Sequence, residues 1–179
     1  MGQRGDMVRV GVVTPTPNAE EFLEHTLESI YTQRSDRLKI DHVIVDADPP
    51  PTREIAARYP SRAVVSTGPP GMYDAVNRAI GIVTGDFVGY INADDEIAPG
   101  ALSLVSETLR AHPNVGWVCG RVEHIHGDGA TLGTMKPVRL SLRSYLGLGW
   151  SCIPQQMVWA RDARGTLAPA AARVDRQVG

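Results

Sequence analysis

A strand-like apolar run ends in two adjacent acids at Phe87-Val88-Gly89-Tyr90-Ile91-Asn92-Ala93-Asp94-Asp95. The run predicts a buried strand, because its apolar residues are continuous and lack a helical interval. In an open α/β sheet, ligands gather just beyond the carboxyl ends of strands. Two carboxylates at such a point repel each other unless a cation neutralises them. Asp94 and Asp95 therefore predict a site for a hard divalent cation, whose shell a ligand's phosphates would complete.

Outward from this segment, apolar strands alternate with amphipathic helices. The sequence predicts strands at 8–13, 40–45, 63–66, 87–91, 115–122 and 152–160, and helices after Asn18, at 52–59, at 75–83 and after Pro99. Asn18 suits a helix N-cap because Glu21 follows three residues later, and Pro99 suits a first helical turn. The alternation predicts an α/β fold: a mostly parallel central sheet flanked by helices, in a single domain over residues 7–160.

Composition narrows the classes of protein that this chain can belong to. Its 179 residues suffice for one domain with a sizeable core. The net charge of −2 provides no basic field, so we expect no nucleic-acid partner. The two cysteines, Cys119 and Cys152, are expected to be reduced thiols in a cytoplasmic setting. No apolar run approaches the ~20 residues that span a bilayer, so we expect a soluble protein or at most a peripheral one at the inner face of the membrane.

Polar residues follow two other predicted strands. Thr14-Pro15-Thr16 comes after the first strand, and Asp46 comes directly after the second. Because the carboxyl ends of parallel strands meet at one edge of a sheet, we expect these residues to lie near the acid pair. Each also has a purely structural interpretation, since Thr and Asp are common in turns. Asp94 and Asp95 could themselves belong to a solvated loop that caps the following helix.

Five stretches together carry a resemblance to a known family. They are 10–18, Val43-Ile44-Val45-Asp46, 71–80 with Tyr73-Asp74-Ala75-Val76-Asn77, 84–95 with Asn92-Ala93-Asp94-Asp95, and Ile153-Pro154-Gln155-Gln156. In this order and spacing, the chain resembles glycosyltransferase family 2, the inverting enzymes of the GT-A fold, over residues 8 to 161.

The resemblance implies a nucleotide-diphosphate sugar as donor, linked to UDP, GDP or dTDP, and a glycan or lipid-linked acceptor. It implies a divalent metal, Mn²⁺ or Mg²⁺, held by Asp94 and Asp95. The residues that it assigns to the nucleotide sugar are Thr14, Pro15, Thr16, Asp46, Asp74, Asn77, Asn92, Asp94, Gln155 and Gln156. Many relatives have a further Asp where this chain has Asn92, whose amide can bond a ribose hydroxyl but carries no charge.

An inverting transferase also needs a general base to deprotonate the acceptor hydroxyl. The resemblance implies an Asp in a segment beyond Ile153–Gln156, after a glycine-aromatic stretch and before an apolar helix. Neither Asp162 nor Asp175 has that context, so the general base is not identified. Residues 161–179 are rich in Ala and Arg and predict a poorly ordered tail. We expect the chain to be cut short or altered in frame after about residue 161.

Three functions remain open on the sequence. The first is a metal-dependent, inverting glycosyltransferase. The second is a nucleotide-sugar-binding domain without transfer activity, because the segment that bears the base is missing. The third is a sugar nucleotidyltransferase, which ranks last because the loop Thr14–Asn18 has neither the Gly nor the Lys that would grip a triphosphate.

Overall fold

Strands and helices alternate along most of the chain, in a computed structural model that describes residues 7–16, 20–45, 50–64, 72–127, 129–135 and 157–160. The strands are β1 (Val8–Pro15), β2 (Leu38–Val45), β3 (Arg62–Val64), β4 (Phe87–Tyr90), β5 (Trp117–Cys119), β6 (Val122–Ile125), β7 (Thr131–Met135) and β8 (Met157–Ala160). The helices are α1 (Leu23–Tyr31), α2 (Pro50–Ala57), α3 (Met72–Ile82) and α4 (Ala101–Ala111).

A six-stranded sheet organises the fold. Its strand order is β3-β2-β1-β4-β8-β5. The four strands β3, β2, β1 and β4 pair in parallel, whereas β8 runs antiparallel to both β4 and β5. β6 and β7 form a separate antiparallel hairpin. The predicted α/β class with a mostly parallel sheet is therefore confirmed.

The two faces of the sheet are covered by different helices, because β1 is apolar on both sides. Val8, Val10 and Val12 pack with side chains of α1 and α4 on one face. Val13 packs with α3 on the other face. Full burial of one such side chain contributes about 1.5–3 kcal/mol to the stability of the fold. Because β1 buries apolar side chains on both faces, it stabilises both helix layers.

Several boundaries differ from the predictions. β1 continues through Thr14 and Pro15, which were expected to follow it, because both residues pair with β2. β2, α2 and α3 each begin two or three residues earlier than predicted.

Three further differences concern helix starts and one strand. Helix α1 begins at Leu23, with Phe22 as its N-cap, instead of directly after Asn18, which lies outside the described residues. Helix α4 begins at Ala101 after Gly100, whose φ of 79° is left-handed, and Pro99 lies in the preceding turn. The single strand predicted for 115–122 is wrong, since β5 and β6 belong to different sheets.

None of the helices in the described part of the chain is long and apolar enough to cross a membrane. The predicted tail, residues 161–179, lies outside the described residues. The division into a domain at 7–160 and a tail therefore stays a prediction.

Candidate functional site

The register of the parallel strands places the end of β1 next to the end of β4. Thr14 and Pro15 are the last residues of β1 and Thr16 follows them; this segment is called the Thr-Pro-Thr loop. Thr14 of β1 lies opposite Ile44 of β2, and Val13 lies opposite Tyr90 of β4. The amide of Ile91 donates to the carbonyl oxygen of Val13 at 3.0 Å, which extends this pairing to the end of the strand. Neighbouring strands lie about 4.8 Å apart, so the segments that leave β1 and β4 start as direct neighbours.

The acid pair lies on a tight turn that directly follows β4. The amide of Asp95 donates to the carbonyl oxygen of Asn92 at 3.3 Å, which closes the turn. Ala93, only 3% exposed, packs with Ile44 and with apolar residues of α1 beneath the turn. This small apolar anchor leaves Asp94 exposed and Asp95 half-buried, with its Oδ2 atom enclosed by protein.

Asn92 is oriented by a neighbour that the sequence analysis did not single out. The Tyr90 hydroxyl donates a hydrogen bond to Oδ1 of Asn92. This hydrogen bond orients the side-chain amide of Asn92, whose nitrogen is its hydrogen-bond donor. Both side chains are half-buried at the end of β4.

The threonine hydroxyls of the loop point into the protein. Thr14 and Thr16 are both fully buried. Oγ1 of Thr16 donates to the carbonyl oxygen of Val45 at 3.2 Å, and its amide donates to the same oxygen at 3.1 Å. Oγ1 of Thr14 lies 2.9 Å from Nε2 of His42. Both hydroxyls thus hold the loop against β2, and their predicted contact with a ligand stays a prediction.

His42 and Tyr31 belong to the site's supporting structure, although the sequence analysis missed them. Nδ1 of His42 lies 3.1 Å from the Tyr31 hydroxyl, and the ring is 1% exposed. Burial lowers the pKa of His42 to about 3, against the opposing charge of Asp41, so the imidazole is neutral. Burial also raises the pKa of Tyr31 to about 12. In the sequence, His42 could have been noticed as a histidine within the mostly apolar strand 40–45.

The backbone of helix α3 brings Asp74 and Asn77 toward the carboxyl ends of the strands. An added Cβ on Gly11 would lie 3.0 Å from Cγ2 of Val83, so Gly11 and Val83 lie at the same height along the strand direction. Seven helical residues and three strand residues each span about 10 Å, which puts Val76 level with Thr14. Asn77 is half-buried there, whereas nothing is described of the Asp74 side chain.

Three of the predicted ligand contacts fall on parts of the chain that are not described. Asp46, Gln155 and Gln156 lie outside the described residues. Asp46 directly follows Val45, and Gln156 directly precedes β8, which pairs with β4. Their predicted roles therefore stay predictions.

The donor set of the acid turn fits a divalent metal. Asp94 and Asp95 offer hard carboxylate oxygens, which suit Mn²⁺ or Mg²⁺ better than a soft metal. Within the described ranges, no group of three or more His, Cys, Asp or Glu side chains is arranged to hold a metal ion. Two carboxylates leave positions in the metal shell for phosphate oxygens and water, as is usual for Mg²⁺ bound with a nucleotide.

A shallow cavity of about 510 Å³ opens at the other end of the strands, where the parallel strands begin. This end is called the amino side, and the end with the acid turn is called the carboxyl side. It is lined by Met7, Arg9, Lys39, Ile40, Asp41, Arg62 and Thr84. Its carboxylate, Asp41, is already paired with Arg62. The acid turn is therefore a separate place, at the carboxyl ends of the strands.

Comparison with solved structures confirms the GT-A fold. S. aureus TarS 1-349 superposes with a TM-score of 0.66 at 19% identity, over 85% of this chain and 47% of that one. Mannosyltransferase PcManGT from Pyrobaculum calidifontis, in complex with GDP-Man and Mn²⁺, gives 0.62 at 24% identity, over 87% of this chain and 45% of that one. The chain thus spans less than half the length of either structure.

A comparison with protein families agrees with the fold. The model of Glycosyl transferase family 2 matches residues 11–155. This range begins in β1, contains the acid turn and extends to Gln155. Because the match covers well over half of the 179 residues, the chain belongs to glycosyl transferase family 2.

Proposed function

We propose that this chain binds a nucleotide-diphosphate sugar with a divalent cation and acts as an inverting glycosyltransferase on a glycan or lipid-linked acceptor. The position of Asp94 and Asp95, on a turn beside the end of β1, carries the proposal. TarS is known in complex with UDP-GlcNAc, and PcManGT in complex with GDP-Man and Mn²⁺. These complexes support a nucleotide sugar as the class of ligand.

The nucleoside would lie across the ends of β1, β2 and β4. The buried loop Thr14–Thr16 supplies a rigid floor, because both hydroxyls are bonded inside the protein. The amide nitrogen of Asn92, whose side chain is oriented by the Tyr90 hydroxyl, would donate to a ribose hydroxyl. Asp46 directly follows β2 along the chain, and Asn77 lies on α3. We propose that they complete the donor pocket with Asp74.

The diphosphate would lie over the acid turn. Asp94 and Asp95 would hold the metal, which when bound offsets the charge that develops on the departing nucleoside diphosphate. The carboxylates fix the position of that positive charge, because the turn is closed by a backbone hydrogen bond and anchored through Ala93. A fixed charge needs no reorganisation as the sugar leaves.

Transfer with inversion also requires a base on the acceptor side of the sugar. We assign this role to no residue of the chain. Gln155 and Gln156 would line the donor or acceptor side of the pocket. A nucleotide-sugar-binding domain without transfer activity would need the same donor site. Only a measurement of turnover distinguishes it from the glycosyltransferase.

Calorimetric titration of the full chain with UDP and with GDP, each with and without MnCl₂, tests the proposal. We expect saturable, metal-dependent binding of one of them. Transfer or hydrolysis of the matching nucleotide sugar would then establish the enzyme, whereas binding without turnover would favour the binding domain. A third titration with dTDP covers the remaining donor class. If none of the three nucleotides binds in the presence of manganese, both functions are ruled out.

Paired variants locate the metal site. Asp94→Asn and Asp95→Asn remove one charge each and keep the side-chain shape. Outer-shell partners of metals typically contribute 10–100-fold to affinity, so we expect a loss of at least about tenfold for a direct ligand. Asp36→Asn is the matched control, because Asp36 is an exposed acid in the α1–β2 connection. Unchanged manganese-dependent affinity in both site variants would refute the assignment.

A further inference from the structure

A row of three polar side chains joins helix α1 to Thr14, near the end of β1. The Tyr31 hydroxyl lies 3.1 Å from Nδ1 of His42, and Nε2 of His42 lies 2.9 Å from Oγ1 of Thr14. His42 and Thr14 are both almost completely buried, on the face of the sheet that α1 covers. The row therefore crosses the core and ends at the loop that we propose as the floor of the donor site.

The direction of the hydrogen bonds in this row follows from the acidity of the groups. A neutral imidazole has one N–H donor and one lone-pair acceptor. A phenol is a far stronger acid than an aliphatic hydroxyl, so it is the better donor to that lone pair. Tyr31 then donates to Nδ1, and the hydrogen of His42 is on Nε2. Nε2–H in turn donates to Oγ1 of Thr14.

We propose that His42, as its Nε2–H tautomer, is a positioning residue that fixes Thr14 and thereby the shape of the donor-binding loop. The inference rests on the proposed function for the identity of the ligand. The loop is held on both sides of Pro15, since Thr14 is bonded to His42 and Thr16 is bonded to the carbonyl oxygen of Val45. Both partners belong to β2, the strand that leads directly into Asp46.

Such a clamp gives affinity by preorganisation, because a loop already held in its binding shape loses less entropy when the ligand arrives. Thr14 acts through the loop instead of through its hydroxyl on the ligand. The clamp therefore predicts that substitutions of His42, which is too deeply buried to touch a ligand, weaken nucleotide binding.

Two amide variants of His42 separate positioning from simple packing. In His42→Gln, the longer side chain can place an amide N–H near the position of Nε2, whereas the shorter side chain of His42→Asn reaches only the position of Nδ1. One intramolecular hydrogen bond corresponds to a factor of about 3 to 10 in an equilibrium. We expect His42→Asn and Thr14→Val to weaken UDP or GDP binding with MnCl₂ by about that factor, and His42→Gln to retain most of the affinity.

Thr26→Val is the matched control. Thr26 is also fully buried, and its hydroxyl donates to the carbonyl oxygen of Phe22 in α1, away from the loop. Its loss changes stability without changing the affinity of the folded protein. Equal nucleotide affinity of His42→Asn, His42→Gln and wild type, measured on folded protein, would overturn the inference.

The tautomer provides a test that needs no ligand and no substitution. Long-range ¹H–¹⁵N spectra of the full chain assign the hydrogen of a histidine ring to one nitrogen. We expect Nε2 of His42 to be protonated and Nδ1 to be unprotonated at neutral pH. A hydrogen on Nδ1 overturns the inference even if nucleotides bind. Failure of the wild type to bind any nucleotide overturns the proposed function, and the tautomer is still measured independently of it.

Discussion

The two sides of the central sheet treat their carboxylates in opposite ways. On the amino side, Asp41 accepts hydrogen bonds from Nε of Arg62 at 3.0 Å and from the amide and hydroxyl of Thr84 at 2.7 and 2.6 Å. On the carboxyl side, two adjacent acids share one turn, and Asp94 is exposed. Asp41 is thus paired with a cation of the protein itself, whereas the two acids of the turn form the site that we propose for a bound metal cation.

Backbone packing differs between the two sides as well. At the amino side, Gly85 lies directly against β1, and an added Cβ would be 2.5 Å from the amide nitrogen of Gly11 and 2.7 Å from the carbonyl oxygen of Phe87. Neither backbone atom can move without disrupting the pairing of β1 with β4. At Gly85 the backbone of the amino side thus packs directly against backbone, whereas β4 on the carboxyl side leads into the acid turn.

The largest expected effect concerns this close approach. Gly85→Ala should lower the free energy of unfolding by about 3–5 kcal/mol, because the methyl group collides with backbone. Gly81→Ala is the control, since an added Cβ at this exposed position of α3 meets no atom within 4 Å. Alanine there should stabilise the helix by about 0.5–1 kcal/mol. Urea unfolding of both variants measures the difference, and similar stabilities would contradict the described packing.

The second-largest expected effect is a loss of stability in acid, through the buried His42. The pKa of His42 is about 3 in the folded protein and 6.5 when it is exposed. Between these values the unfolded chain binds a proton that the folded protein excludes, so stability falls as the pH falls. The slope for one proton is about 1.4 kcal/mol per pH unit. Above the unfolded value this contribution is constant.

The contribution of His42 is isolated by difference. The free energy of unfolding of wild type and of His42→Gln is measured as a function of pH, and the two slopes are subtracted. The difference should disappear above pH about 7, where neither state of His42 is protonated. Equal slopes over the whole range would show that His42 is not held neutral by burial.

Asp41→Asn should have a smaller effect, in the same direction. Burial raises the pKa of Asp41, but hydrogen bonds from Thr84 and Arg62 outweigh it and lower the pKa below 3.8. The substitution replaces charge-assisted bonds and leaves the Arg62 cation near a neutral amide. We expect a loss of about 1–3 kcal/mol in urea unfolding at neutral pH. In wild type, the stability from Asp41 is present above pH 3.8 and is lost as the pH falls through its folded value.

Much of this architecture was predictable because it depends on patterns along the chain. The continuous apolar runs gave β1, β2 and β4, and the rule on the carboxyl ends of strands placed Thr14 and Asp94 at one edge. Helix starts were less predictable. Asn18 and Pro99 have suitable local chemistry, but tertiary packing starts the helices at Leu23 and Ala101.

The polar row beneath the site illustrates what local patterns omit. His42, Tyr31 and Thr14 come together because β2 pairs with β1 and α1 crosses the same face. Their separations in sequence follow no motif, so only the fold brings them within hydrogen-bonding distance. The cluster of Asp41, Arg62 and Thr84, called the amino-side clasp, was unpredictable for the same reason, since its three residues are distant along the chain.

Asp94→Asn has the smallest expected effect on stability, and it tests directly whether the acids on the two sides of the sheet have different roles. Asp94→Asn makes the same chemical change as Asp41→Asn, but at an exposed position next to a like charge. The free energy of unfolding should change by less than about 0.5 kcal/mol, and relief of the repulsion from Asp95 favours a gain over a loss. UDP or GDP with MnCl₂ should raise the melting temperature of the wild type and leave that of the variant unchanged, because only a ligand that binds the folded state stabilises it. If Asp94→Asn instead destabilised the protein as much as Asp41→Asn, the acid turn would be a structural element like the amino-side clasp, and the proposed metal site would lose its physical basis.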